Sequence, residues 1–236
     1  KEKNENESII INGLKKDGLY IENNFYNKNE CLKLRNKIDY LIDHESTNVW
    51  IDESEADHRI YFINMIDEEF DKFYKNQKIR NILLKYTGIV NPKGMLLAAR
   101  IDAKKGNVGS GGGWHRDSPI THQFKAICYL SNVNEINGPF QYIKASHKKL
   151  NVIKSYLTGI FKPGQYRFTS SEIENYLDKF GNALTSFTAE EGTIAFADTK
   201  GIHCGKPIIE GSRYVLFCYF WHGKIPKQFE KLKQST

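Results

Sequence analysis

Two residues in the segment 109–117 have the types and spacing of metal ligands. The segment reads Gly-Ser-Gly-Gly-Gly-Trp-His-Arg-Asp and places His115 and Asp117 two positions apart. In an extended strand, residues at i and i+2 point to the same face, so this imidazole and this carboxylate can converge on one point. They would supply two ligands of the facial triad that holds non-haem iron, and the third, most often another histidine, must come from elsewhere in the chain.

His203 is the best candidate for that third ligand, and Arg213 follows it by ten residues. Arg213 opens an apolar run that is typical of a strand. A guanidinium is a planar cation that can hold a carboxylate through two parallel hydrogen bonds. The pattern therefore predicts an iron site with an acidic co-substrate bound by Arg213. The predicted metal ligands and catalytic residues are His115, Asp117 and His203.

Several short segments extend this pattern. They read Gly-Gly-Gly-Trp-His-Arg-Asp-Ser, Gln-Phe-Lys-Ala-Ile-Cys-Tyr-Leu-Ser-Asn-Val, Asn-Gly-Pro-Phe, Ala-Ser-His-Lys, Gly-Ile-His-Cys-Gly-Lys-Pro and Gly-Ser-Arg-Tyr. Together they resemble the phytanoyl-CoA dioxygenase family of iron(II)- and 2-oxoglutarate-dependent oxygenases, over roughly residues 18–222. One difference from that family is Ala145, which stands where glycine is common before Ser-His.

The resemblance implies a mainly β fold with flanking helices, built on a double-stranded β-helix, the jelly-roll core that cupins share. It implies Fe(II), with 2-oxoglutarate and dioxygen as co-substrates. A small-molecule or carrier-linked metabolite would be hydroxylated, with release of succinate and CO2. Aliphatic halogenases resembling this family lack the carboxylate ligand, so the presence of Asp117 favours a hydroxylase over a halogenase.

Two other classes stay open on the residues alone. A cupin-like isomerase or hydrolase could use the same three ligands for zinc or manganese, and Arg213 would then form an ordinary salt bridge. A non-catalytic jelly-roll binding module is a further alternative, against which the intact ligand set argues. A co-substrate site at Arg213 is what separates the oxygenase from both.

Lys125 interrupts an otherwise apolar strand pattern. Alternation places it on one face with Gln123 and Tyr129. Because a buried ammonium must find an anionic partner, Lys125 is a candidate for binding the co-substrate or orienting the substrate; a water-exposed edge position is the alternative. The remaining histidines lack ligand-like spacing and are assigned to no metal. They are His44, His58, His122, His147 and His222.

Charge and composition limit the partners. The 236 residues include 34 basic and 28 acidic ones, a net charge of +6, mostly interspersed. No nucleic-acid partner is expected, because basic residues cluster only in a tail that we expect to be solvated. The positive charge permits an anionic substrate. No run of about 18 apolar residues predicts a membrane span. The four cysteines lack pairing or zinc-like spacing and read as reduced thiols of a cytosolic protein.

One domain of 18–222 is expected between a disordered or trimmed segment, 1–17, and a basic tail, 223–236. Loops at 50–64, 103–113 and 150–170 are expected to select the substrate. Helices are predicted to start at Asn27, to precede Gly88 and to open at Ser171. The predicted strands are 95–102, 123–133, 140–143, 193–198 and 212–221. The oligomeric state is not indicated.

Overall fold

Ten β-strands in two sheets and seven α-helices form the part of the chain that the computed structural model describes, residues 2–44, 46–118, 124–221 and 223–234. The helices are α1 (Glu2–Asp17), α2 (Lys28–Ile42), α3 (Glu68–Tyr74), α4 (Gln77–Thr87), α5 (Lys149–Leu157), α6 (Ser170–Phe180) and α7 (Lys227–Glu230). The strands are β1 (Leu19–Glu22), β2 (Val49–Ile51), β3 (Asp57–Tyr61), β4 (Lys93–Asp102), β5 (Phe124–Tyr129), β6 (Phe140–Ile143), β7 (Leu184–Phe187), β8 (Ile194–Asp198), β9 (His203–Gly205) and β10 (Ser212–Trp221).

The two sheets are antiparallel. The larger has the order β1-β8-β5-β10-β4-β3-β2, and the smaller has the order β7-β6-β9. Strand β5 lies inside the larger sheet, between β8 and β10, and all six of its residues are buried. This architecture is the predicted mainly β jelly-roll with flanking helices, so the expected fold class is confirmed.

Two clusters of buried apolar side chains cover the two faces of the larger sheet. One joins its outer face to helices α1–α4 and includes Ile10, Ile38 and Ile82. The other fills the space between the sheets, where the rings of Tyr129 and Phe187 stack with centroids 4.2 Å apart. Strands β5 and β8 therefore bury both alternating faces, one under helices and one inside the barrel. Side chains on the inner face are the ones that can line a site.

Local signals in the sequence place several helix ends. Asn27 and Glu30 form the predicted reciprocal capping box of α2, and α4 ends at Gly88, which has a φ of 76°. The start of α6 differs from the prediction by one residue. The predicted start paired Ser171 with Glu174, but the N-cap is Thr169, whose side-chain oxygen accepts from the Glu172 amide. Thr169 with Glu172 and Ser171 with Glu174 both have the spacing of a capping box, and the structure forms the first of these.

The two chain ends are more ordered than expected. The segment expected to be disordered contains helix α1, because its apolar residues Ile10 and Leu14 are buried against α4. In the predicted basic tail, Phe229 packs on Trp221, and Gln234 is buried and donates to the Tyr61 carbonyl. The strand prediction at Gln123, like His122 and His222, lies outside the described residues.

Two smaller expectations can be compared with the structure. All four cysteines are free and buried, as the absence of pairing spacing predicted. Among the described helices, none combines the length and apolarity needed to cross a bilayer.

Ala145 has a left-handed backbone, with a φ of 61°. It therefore occupies a conformation that suits the glycine common at this place in the resembled family. We expect Ala145→Gly to stabilise the protein by about 0.5–1 kcal/mol, since relief of the left-handed penalty exceeds the entropy lost by glycine. Urea unfolding midpoints measure the change.

The matched control is Ala189→Gly, at a half-buried position outside the left-handed region. It should destabilise the protein by up to about 1 kcal/mol. Equal destabilisation by both substitutions would contradict strain at Ala145.

Candidate metal centre and its cavities

A pair of backbone hydrogen bonds brings two of the predicted ligands together. The His115 amide donates to the His203 carbonyl, and the His203 amide donates to the His115 carbonyl, both at 2.9 Å. Since such pairing places side chains on the same face, the two imidazole centroids lie 4.3 Å apart. His203 belongs to β9, whereas His115 follows the glycine-rich segment, so the sheet joins residues 88 positions apart.

Asp117 completes the cluster. Its Oδ1 lies 3.7 Å from His115 Nε2 and 3.9 Å from His203 Nε2, and one ligand atom from each residue lies within 4.8 Å of the others. Among the described residues this is the one such group of three, and no other histidine joins it. The three ligands predicted from sequence thus converge.

Hydrogen bonds orient both imidazoles. His115 Nδ1 lies 2.8 Å from the Gly113 carbonyl, and His203 Nδ1 lies 2.9 Å from the Gly201 carbonyl. A carbonyl can only accept, so each Nδ1 carries the proton and each Nε2 presents a lone pair towards Asp117. His203 Nε2 is buried and has no hydrogen-bond partner among the described residues. This arrangement is suited to binding a cation.

The electrostatics favour the same state. Burial lowers the pKa of His115 and lowers that of His203 well below the usual value, which keeps both rings neutral. Burial alone would raise the pKa of Asp117, but the Lys125 ammonium and the two imidazoles hold it below its usual range. Two neutral imidazoles and one carboxylate are the protonation states that metal binding requires.

Lys125 contacts the carboxylate from the side opposite the histidines. Its Nζ lies 2.6 Å from Asp117 Oδ2 and 4.4 Å from the centre of the Tyr219 ring. Lys125 is 6% exposed in the central strand β5, so the alternative of a water-exposed edge position is wrong. The ion pair leaves Oδ1 directed at the two imidazoles.

Arg213 lines a cavity that His115 and His203 also line. It is 2% exposed, and its Nε and Nη1 have no hydrogen-bond partner among the described residues. No ion pair joins it to a described carboxylate, so the ordinary salt bridge considered above is not present in the described part of the chain. Burial lowers the Arg213 pKa, although the Tyr129 hydroxyl beside it opposes the shift. A buried, unpaired guanidinium calls for an anion.

The inner cavity has a volume of about 50 Å³ and connects these groups. It is lined by Arg59, Ser110, Gly111, His115, Lys125, Ile127, Tyr129, Phe140, His203, Gly205, Arg213, Phe217 and Tyr219. Arg59 was not predicted; it pairs with Asp57 and donates to Ser110 Oγ at 3.1 Å. The signal that could have indicated Arg59 is its position in a short strand, between Trp50 and Asn64, whose alternate residues face the barrel interior.

A second, outer cavity of about 320 Å³ opens on the other side of the metal cluster. Its lining residues are Gly111, His115, Arg116, Asp117, Tyr166, Arg167, Tyr219, Trp221, Pro226, Gln228 and Phe229. Gly111, His115 and Tyr219 line both cavities. Arg116, between the two ligands in sequence, is buried, and its guanidinium lies 5.3 Å from the centre of the Phe168 ring.

Comparison with solved structures finds proteins of the same fold. The non-haem α-ketoglutarate-dependent epimerase SnoN from nogalamycin biosynthesis aligns with a TM-score of 0.67 and 13% identity, over 92% of this chain and 81% of SnoN. HygX from Streptomyces hygroscopicus, solved with nickel, 2-oxoglutarate and hygromycin B, aligns with a TM-score of 0.65 and 13% identity, over 90% and 86% of the two chains.

AviO1 from Streptomyces viridochromogenes Tue57 aligns with a TM-score of 0.61 and 12% identity, over 93% of this chain and 96% of AviO1. No family model matches the chain. No curated protein matches it either. The fold of 2-oxoglutarate-dependent enzymes is thereby established, while membership of the phytanoyl-CoA dioxygenase family stays a prediction.

The glycine run has a steric reason at Gly111. Its φ is 86°, and a Cβ there would lie 2.5 Å from His115 Cε1. We expect Gly111→Ala to displace the His115 ring and to weaken metal binding by about 10-fold or more, the scale of losing support for a metal ligand. Zn(II) affinity by competition with a chromophoric chelator measures it.

Gly106→Ala is the matched control. Gly106 has a φ of 90°, yet a Cβ there meets no atom within 4 Å. It carries the same backbone penalty without the contact, so its metal affinity should equal that of wild type. If both variants lost affinity alike, backbone strain and not displacement of His115 would be the cause.

Proposed function

We propose that the protein is a non-haem Fe(II)- and 2-oxoglutarate-dependent oxygenase that hydroxylates a small-molecule or carrier-linked metabolite, with release of succinate and CO2. The observation that carries the proposal is a two-histidine, one-carboxylate cluster whose two imidazoles line the same cavity as the buried Arg213 guanidinium, which has no ion pair with a described carboxylate. A metal ion would satisfy the three-residue cluster, and a dicarboxylate would satisfy the Arg213 guanidinium. The fold shared with 2-oxoglutarate-dependent enzymes supports the same conclusion.

In this proposal His115, Asp117 and His203 would hold the iron and leave its remaining coordination positions for exchangeable ligands. The iron, with 2-oxoglutarate and dioxygen, supplies the oxidising chemistry. The protein's own residues position and protect it. Gly113 and Gly201 keep the two Nε2 atoms unprotonated, and Phe140, whose ring lies 5.3 Å from that of His203, helps to exclude water from the inner cavity.

Arg213 and Lys125 complete the proposed co-substrate site. Arg213 would bind the far carboxylate of 2-oxoglutarate, which compensates its buried charge. Lys125 would keep Asp117 ionised and bound through one oxygen, so that the other positions around the metal stay available. Its ammonium also faces the cavity in which the co-substrate would lie.

A cupin-like isomerase or hydrolase is the second candidate. It needs the three metal ligands but gives no role to Arg213, whose unpaired burial it would leave unexplained. A binding module has the same weakness. A halogenase stays disfavoured because Asp117 fills the position where a halide would bind. Hydroxylation, rather than the epimerisation named for SnoN, is the simplest outcome and is part of the proposal.

Anaerobic titration of the iron(II)-loaded protein with 2-oxoglutarate tests the proposed function. Wild type should develop the visible charge-transfer band of the chelate and saturate. His203→Ala should not, because two ligands hold iron poorly. A wild-type protein that binds iron without ever showing the band would favour the isomerase or hydrolase.

Arg213→Ala should leave iron affinity nearly unchanged and weaken 2-oxoglutarate by roughly 2–4 kcal/mol, the scale for losing a buried charge-assisted pair. Half-saturation of the band should then need about 30-fold to 1000-fold more co-substrate. Arg213→Lys should recover part of the loss, since an ammonium lacks the guanidinium fork.

Arg100→Ala is the control, because Arg100 pairs with Asp39 outside both cavities. It should leave the titration unchanged. An Arg213→Ala protein with wild-type half-saturation would move the anchor elsewhere, and Lys125→Met would be the next variant.

A further inference from the structure

The outer cavity has one wall made of aromatic rings. Tyr219 and Trp221 stand at i and i+2 of β10 and therefore share a face; their rings stack with centroids 5.7 Å apart and 15° between planes. Phe229 of the C-terminal segment extends the wall, with its centroid 5.3 Å from that of Trp221. The wall begins beside Lys125 and Asp117 and runs outwards from the metal cluster. Such a surface suits a flat, apolar ring face.

Two arginines, Arg167 and the buried Arg116, also line the outer cavity and make part of its lining cationic. Arg167 uses only Nη1 to hold the Gly111 and Gly112 carbonyls, at 2.9 and 3.2 Å. Its Nε and Nη2 make no hydrogen bond to a described residue, and Arg167 is exposed to the cavity. Because one nitrogen of this guanidinium is fixed, its remaining N–H groups point in a fixed direction. This arrangement favours binding of a carboxylate or phosphate.

No acidic group is left to bind a cation there. Asp117 is the one carboxylate among the lining residues, and Lys125 already pairs with it. The segment 136–171, which supplies Arg167, contains five lysines and one arginine but no Asp or Glu. A cationic ligand would therefore meet repulsion and an anionic one attraction.

We propose that the outer cavity binds a ring-bearing organic anion, with the ring against Tyr219 and Trp221 and the carboxylate or phosphate on Arg167. The wall contacts a flat apolar face, which both an aromatic ring and the C–H face of a saccharide ring possess. The inference rests on the proposed function only in identifying this ligand as the substrate.

The experiment is calorimetric titration of the protein with two acid–neutral pairs, in the presence of Zn(II) and saturating 2-oxoglutarate and again without them. The aromatic pair is 2-naphthoate and 2-naphthamide, and the saccharide pair is methyl glucuronide and methyl glucoside. In at least one pair the acid should bind about 10-fold tighter or more, the scale of one charge-assisted hydrogen-bonded contact. The pair that binds identifies the ring type.

Three variants assign that preference. Arg167→Gln should reduce the acid-to-neutral ratio to less than about 3-fold, and Arg167→Lys, which keeps the charge, should retain part of it. Trp221→Ala should weaken acid and neutral forms alike, by about 10-fold. Lys179→Gln removes one exposed positive charge from the end of α6 and should change neither affinity. Thermal melts confirm that each variant is folded.

Equal affinity for acid and neutral forms in wild type would overturn the proposal. So would an acid preference that survives in folded Arg167→Gln, or failure of both pairs to bind. The proposed function fails separately: a missing 2-oxoglutarate chelate band with acid binding retained in the metal-free protein would reject the oxygenase and leave the ligand class standing.

Discussion

The reciprocal hydrogen bonds between the backbones of His115 and His203 are the constraint on which the candidate site depends. They join a glycine-rich segment to a three-residue strand and place two imidazoles over one point. The side chains alone could not achieve this, since each imidazole is otherwise held only through its Nδ1. Because backbone pairing fixes both Cα positions, Asp117 needs only the i+2 relation to His115 to complete the cluster.

Charge compensation organises the rest of the barrel interior. Lys125 and Arg213 are both buried cations, but only Lys125 has a protein carboxylate beside it. Burial of an unpaired guanidinium costs several kcal/mol in the free protein, a cost that binding of an anion would offset. Folding thus leaves the Arg213 charge without a carboxylate beside it, at the place where an acidic co-substrate is proposed to bind. Arg116, which lines the outer cavity, is likewise buried and has no hydrogen-bond partner among the described residues. That imbalance distinguishes this interior from a purely structural core.

Motif residues could be predicted from the sequence because local rules govern them. The i and i+2 spacing at His115 and the strand-like run after Arg213 both survive in the structure, as do the capping box at Asn27 and the end of α4 at Gly88. The partner of Lys125 could not be predicted, since its contact with Asp117 depends on the path of the chain between them. Segment 1–17 was misjudged because its apolar residues gain their burial only from the distant helix α4.

The lining of the outer cavity could also be predicted only in part, because it joins segments that are distant in the sequence. Tyr166 and Arg167 come from a loop that was expected to select the substrate, and Gly111 comes from another. Trp221 was predicted only as the last residue of a strand, and Phe229 was missed because its segment, 223–236, reads as a basic, solvated tail. Its lysines do face solvent, but Phe229 and Gln234 alternate with them and return the chain to Trp221 and Tyr61. The net charge of that segment correctly predicted its exposed lysines. Its position is decided by its few apolar residues, because burying one aromatic ring contributes more to stability than the weak interactions of solvated surface charges.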